Sequence, residues 1–151
     1  MIELSPEEFT QRHRQYAAEG LIYPQTEGSP LLEFVAGGRV LYLLDRCGPY
    51  AAKPGAARVI VNGMLSRWER SQSEHESLNV VGVSGLEGVG KVLERPRSGA
   101  PTVVVQARLK LVLNADQTVA GQILDGLNPG DWIRFATEPL LHGFVITLPS
   151  R

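Results

Sequence analysis

Apolar residues recur along this chain with two different periods, and the change from one to the other divides it. Over the first twenty residues, Phe9, His13, Tyr16 and Ala17 fall at offsets of three and four, which places them on one face of a helix. Ser5 stands at the N-cap position, Pro6 fits the first helical position, and Glu8 follows Ser5 at the capping-box spacing of three. Gly20, directly after Glu19, reads as the helix stop. The pattern predicts one short amphipathic helix.

After Gly20 the apolar positions gather into short runs separated by Gly, Pro and polar clusters, a strand signature. Strands are predicted at Leu31–Val35, Val40–Leu44, Arg58–Leu65, Leu78–Val83, Val89–Leu93, Thr102–Leu113, Asp131–Ala136 and Phe144–Leu148. Ala36-Gly37-Gly38-Arg39 joins the first two as a hairpin. Cys47–Gly55, with two prolines and two glycines, reads as a loop or linker and as the one plausible internal boundary. It separates an expected N-terminal helix and hairpin appendage (1–50) from a second domain (51–151). The polar run Arg67–Ser77 lacks an apolar period and is expected as an exposed loop. Thr118–Leu127 places Val119, Ile123, Leu124 and Leu127 on one helical face, and Asn128-Pro129-Gly130-Asp131 ends that helix. A single helix among the strands of the second part argues against a doubly wound sheet, which needs helices after most strands. The expectation is a mainly β chain whose second part closes into a small β-barrel.

Val119–Phe135 (VAGQILDGLNPGDWIRF) carries the most specific pattern. It resembles the helix, turn and strand that join the third and fourth strands of the OB-fold in single-stranded DNA-binding proteins. Arg58–Trp68 (RVIVNGMLSRW) is similar to the first strand of that family, where an aliphatic run meets a glycine before a basic segment. The likeness covers roughly residues 57 to 148. It implies an OB-like barrel that binds single-stranded DNA or RNA, as a homo-oligomer, in a family serving DNA replication and repair. The chain departs from the family in its glycine-rich stretch Leu78–Arg97 and in its ending FVITLPSR, where bacterial members carry an acidic tail. The N-terminal helix and hairpin have no counterpart in the minimal fold.

Composition narrows this further. Of 151 residues, 43% are hydrophobic, enough for a packed core. The single cysteine, Cys47, cannot form an internal disulfide, and no Cys/His cluster has the spacing of a zinc site. The start, MIELSPEEF, has no basic end followed by an apolar run, and no apolar stretch approaches the ~18 residues a membrane helix needs. A cytoplasmic protein without membrane contact is expected. The net charge is −1, which gives no overall attraction to a polyanion. Its distribution changes that picture. Residues 1–52 hold four basic and seven acidic side chains (−3), residues 53–110 nine and five (+4), and residues 111–151 two and four (−2). The positive middle is either an electrostatic groove or a solvated face with scattered ion pairs.

Candidate chemistry lies mostly in that middle. Alternation along Val103–Leu111 sends Val103, Val105, Ala107, Leu109 and Leu111 to the core, and Val104, Gln106, Arg108 and Lys110 to the opposite face. Trp132 and Arg134 share one face of their strand, where an indole can stack a base and a guanidinium can pair with phosphate. The alternative is that Trp132 closes the barrel end as core. Trp68, between Arg67 and Arg70, is either a contact residue in a loop or core. Tyr50, near Lys53, is a weaker candidate. The expected nucleic-acid interface is Arg58, Arg67, Trp68, Arg70, Gln106, Arg108, Lys110, Trp132 and Arg134. An accessory role, with residues 1–50 docking a protein partner, is the rival expectation.

Gly85–Lys91 (GLEGVGK) has the spacing of a phosphate-binding loop, but Val92 stands where Ser or Thr would hold Mg²⁺, and Pro96 blocks a following helix. A flexible glycine turn between short strands is expected there instead. His13 falls on the helix's apolar face, His75 in the polar loop and His142 in an expected turn, and no base stands near Cys47 in sequence. No catalytic residues, metal site or cofactor are expected, and the chain reads as a binding protein rather than an enzyme.

Overall fold

A computed structural model describes residues 5–46, 53–96, 101–116 and 124–146. Its helix starts as the capping signals dictate: the Ser5 side chain accepts a hydrogen bond from the Glu8 amide, Pro6 is the first residue, and α1 runs Pro6–His13. It then tightens into a 3₁₀ turn at Arg14–Tyr16 and ends. Gly20 is no helix stop. It lies within β1 (Ala18–Tyr23), where an added Cβ would overlap the Val35 carbonyl and the Phe34 ring. The helical period ran past the helix because Tyr16 and Ala17 also pack against a sheet.

β2 (Leu31–Ala36) and β3 (Arg39–Asp45) form the expected hairpin, paired from Leu31↔Leu44 to Ala36↔Arg39. Gly37 and Gly38 both have positive φ, the requirement of a tight two-residue turn. β4 (Gly55–Arg70) is sixteen residues long, so the expected loop from Arg67 begins instead with four residues of strand. β5 (Ser77–Val81), β6 (Gly85–Glu94), β7 (Thr102–Gln106), β8 (Lys110–Asn114), β9 (Trp132–Thr137) and β10 (His142–Ile146) complete the ten described strands. Thr102–Leu113 is therefore two antiparallel strands, not one interior strand, turning through Ala107-Arg108-Leu109 with Arg108 at φ 67°. Apolar alternation continues through that turn, so the sequence conceals it. The predicted helix Thr118–Leu127 lies largely outside the described residues; its last part, Leu124–Gly126, is a 3₁₀ turn. Cys47 and Tyr50 also lie outside them, as does Leu148.

The pairings close a ring of five strands: β4 with β8, β8 with β7, β7 with β6, β6 with β9, and β9 with β4. The expected closed β-barrel is present, with further strands added to it. β4 feeds it in two halves. Residues 55–62 pair with β1 and β10, and residues 62–70 pair with β8 and β9, with an irregularity between Leu65 and Arg67. Asn62 holds the junction: its amide donates to Val112 O (2.9 Å) and to Asn114 Oδ1 (2.7 Å). Residues 5–46 share a sheet and a core with the barrel. Leu32, Phe34, Leu41 and Leu43 pack in one cluster with Val61, Leu65, Val103, Leu111 and Phe135.

A second, smaller cluster sits outside the ring. Val104 and Val112, neighbours across β7 and β8, pack with Ile60, Phe144 and Ile146, and Ala17, Phe9 and Tyr16 cover them. Val104, expected toward solvent, is thus buried beneath the helical segment. His13 is only 3% exposed, with its ring 4.6 Å from Phe9 and 6.2 Å from Tyr16.

The glycines of GLEGVGK are neither a turn nor a phosphate cradle; they lie in β6. An added Cβ on Gly88 would overlap the Ser77 carbonyl oxygen, and one on Gly90 would overlap Val105 and approach Gln106 O to 2.8 Å. Overpacking of this kind costs about 1–3 kcal/mol. Gly90→Val is expected to destabilise the fold by an amount in that range, read as a lower urea midpoint at unchanged slope. A second expectation concerns His13, whose pKa is held below its ordinary 6.5 by burial and then by the Arg12 charge. The unfolded chain binds that proton more readily, so stability falls as pH drops below about 6.5. Urea unfolding between pH 8 and 5 should show this slope, and His13→Phe should flatten it.

Candidate nucleic-acid interface

Strand alternation decides which polar residues leave the barrel on its outer side. On β9, Ile133 and Phe135 are fully buried, so Trp132 and Arg134 point outward. On β6, Val92 enters the core and Lys91 faces out; on β7 and β8, Val105 and Leu111 enter and Gln106 and Lys110 face out. The registers then align these outward residues. Trp132 is opposite Lys91, Lys91 opposite Gln106, and Gln106 opposite Lys110. Cross-strand neighbours lie about 5 Å apart, so the four form one row spanning β9, β6, β7 and β8. Trp132 is half-buried and Lys91 exposed. Neither Lys91 nor Lys110 forms an ion pair among the described residues.

One row further along lie Arg134 and, opposite it on β4, Glu69; beyond them Arg67 is opposite Ala136, which is opposite Glu87 on β6. Arg134 Nε stands 4.0 Å from Glu69, and Arg67 3.8 Å from Glu87. These exposed pairs hold little energy but temper the local positive charge. Trp132, Gln106, Lys110, Arg134 and Arg67, together with Lys91, thus all leave the ring on its outer side, distributed over its five strands.

The other four expected residues are elsewhere or otherwise engaged. Trp68 is in β4, not in a loop. It is opposite Phe135 and packs against the core, with its indole nitrogen buried and without a hydrogen-bond partner. The two tryptophans therefore lie on opposite faces of the β4–β9 pair. Arg70 braces the turn before β9, donating to Gly126 O (2.7 Å) and to Asp131 (3.1 Å). The Asn128 amide also reaches that carboxylate at 2.9 Å; this contact first, and Arg70 second, hold Asp131 below the ordinary carboxylate range. Arg108, at the β7–β8 tip, donates through Nε to Gly37 O (3.0 Å), while its amide donates to Glu76. Glu76 also receives the Gln106 amide at 3.4 Å. Arg58 is nine residues from Arg67 along β4, about 30 Å in extended chain, and reaches toward Arg14 O.

Lys91 was the residue the sequence concealed, since the phosphate-loop spacing drew it into the wrong motif. The aliphatic Val89, Val92 and Leu93 around it carried the strand signal that would have exposed it. Lys53, expected beside Tyr50, is exposed just before β4. His142 opens β10, opposite Asn62, rather than sitting in a turn, and its Nδ1 is 3.3 Å from Arg46. His75 is exposed in the loop after β4. No group of three or more His, Cys, Asp or Glu suited to a metal exists among the described residues.

The two tryptophans make the geometry measurable. With Trp132 as the only indole (Trp68→Phe), iodide should quench the fluorescence efficiently. With Trp68 alone (Trp132→Phe), quenching should be weak; equal quenching would contradict the facing derived above. Comparison of the chain with protein-family models, curated proteins and solved structures finds no match in any of the three.

Proposed function

We propose that the barrel binds single-stranded nucleic acid, preferably DNA, without catalysing a reaction. The row Trp132–Lys91–Gln106–Lys110 carries this reading: an outward indole stands opposite Lys91, Gln106 and then Lys110 follow on the next two strands, and neither lysine forms an ion pair among the described residues. An indole offers a stacking face to any base, worth about 1–3 kcal/mol per base; Lys91 is placed to neutralise a backbone phosphate beside it, and Lys110 a second one farther along the row. Gln106 supplies hydrogen-bonding capacity between them. Arg134 and Arg67 extend the surface once Glu69 and Glu87 yield to phosphate. The interface is smaller than the nine residues expected from the sequence, in keeping with a chain of near-neutral charge.

An OB-like barrel supports the same reading when its strands are counted from β6. Counted from β4, the segment before β9 joins the fourth and fifth ring strands. Counted from β6 it joins the third and fourth, as the resemblance of Val119–Phe135 requires. β4 is then the remaining strand, contributed from the N-terminal side, and the likeness of Arg58–Trp68 to a first strand is given up.

A second reading, a protein-docking module, is favoured by one observation: the outer face of β1–β3 exposes Leu21, Tyr23, Val40 and Tyr42. Both can hold in one molecule because the surfaces differ. Anisotropy of a dye-labelled oligo-dT, which reads binding whether or not Trp132 is present, tests the first. Two neutralised phosphates imply a slope of log K against log salt of about −1.4. Trp132→Ala should weaken binding about tenfold or more, and Lys91→Ala should reduce the slope by about half. Absence of salt-sensitive binding, or full binding by the Trp132→Ala, Lys91→Ala double variant, would refute the proposal.

A further inference from the structure

The docking face of β1–β3 has a chemistry of its own, independent of the barrel surface. Its inward residues Leu32, Phe34, Leu41 and Leu43 are core, which leaves two outward rows. In the first, Leu21 is opposite Val35 and Val35 opposite Val40. In the second, Tyr23 is opposite Glu33 and Glu33 opposite Tyr42. A carboxylate is thus centred between two tyrosines and bordered by aliphatic side chains. It forms no ion pair among the described residues, although charged groups set in apolar surroundings ordinarily find one.

Beside Glu33 an open cleft of about 200 Å³ is lined by Pro24, Leu31, Tyr42 and Val83, with Gln25, Thr26 and Ser29 along its polar side. Its wall is fixed, since buried Ser84, next to Val83, donates to Tyr42 O and accepts from the Leu141 amide at 2.9 Å. That volume is below the 300–1,000 Å³ of small-molecule sites and suits a single side chain. An aromatic face and a carboxylate both attract cations, the ring through its quadrupole and the carboxylate through charge.

We propose that this face docks a protein partner that inserts one Lys or Arg side chain into the cleft, between Tyr42 and Glu33, while apolar residues of the partner cover Leu21, Val35 and Val40. The proposal rests on the protein-docking reading and adds to it the chemistry of the partner. Glu33 gives this face a negative centre, which favours such a basic partner over a nucleic acid or an acidic protein.

The test is selection of random displayed heptapeptides on the full chain, followed by affinity measurement for wild type, Glu33→Gln and Val40→Glu. Thermal melts should show both variants folded, since Glu33 forms no ion pair among the described residues and Val40 is 44% exposed. Enriched peptides should carry one Lys or Arg flanked by apolar residues. They should bind Glu33→Gln about tenfold more weakly and lose Val40→Glu altogether. Peptides without a basic residue that lose only Val40→Glu would overturn the cation proposal and leave the docking reading standing. Peptides indifferent to both variants would overturn both. Dimers in sedimentation that Val40→Glu dissociates would make a second copy the occupant and overturn the proposal as well.

Discussion

Every surface of this protein depends on the course of one strand. β4 spends sixteen residues in extended conformation, about 50 Å, where strands are usually ten residues or fewer. A strand has only two edges, yet β4 pairs with β1, β10, β8 and β9, because its first half serves one pair of partners and its second half another. The exchange occurs at Asn62 and Gly63. Asn62 has β10 on one side and β8 on the other, and its side chain satisfies a carbonyl and a second asparagine at the joint. Gly63 follows because Leu141 and Thr137 leave room for little beyond a hydrogen: a Cβ there would stand 3.0 and 3.2 Å from them. The irregularity after Leu65 then turns the strand into the ring.

The same architecture explains how the positive charge is spent. The basic middle of the chain is not one groove. Arg108 donates to Gly37 O and Arg70 to Gly126 O, as Arg39 of the acidic first segment does to Leu78 O at 2.7 Å, so each ties a turn or strand end to a neighbour. Charged donors are strong partners for carbonyls that the ladders leave unpaired. Closing a small barrel creates several such tips, and the guanidinium groups are long enough to bridge them. Lys91 and Lys110 are left facing solvent. The candidate surface is therefore a short row rather than a broad basic patch.

Much of the fold was legible where the cause is local. Ser5, Pro6 and Glu8 set the helix start through contacts within one turn, and Gly37-Gly38 set the hairpin through backbone conformation. The strands were legible as apolar runs, and a closed barrel followed from their number beside a single helix. The misreadings have a common origin in apolar periodicity that does not report what it packs against. Ala107 and Leu109 continue the alternation of Val103 and Val105 while the chain reverses between them. Gly88 and Gly90 resemble a loop motif, yet they are small because Ser77 and Val105 lie against them.

The candidate site divides along the same line. The sequence by itself determined that Trp132 and Arg134 share a face, and that Gln106 and Lys110 oppose the apolar side chains of their segment, since side chains alternate along any strand. It also determined the acidic and basic segregation of charge. Only the tertiary structure decided that Lys91 joins that row, that Trp68 turns inward opposite Phe135, and that Arg58, Arg70 and Arg108 have structural partners. Those outcomes depend on register between strands distant in sequence, and register is set by packing across the whole barrel rather than by any one segment's pattern.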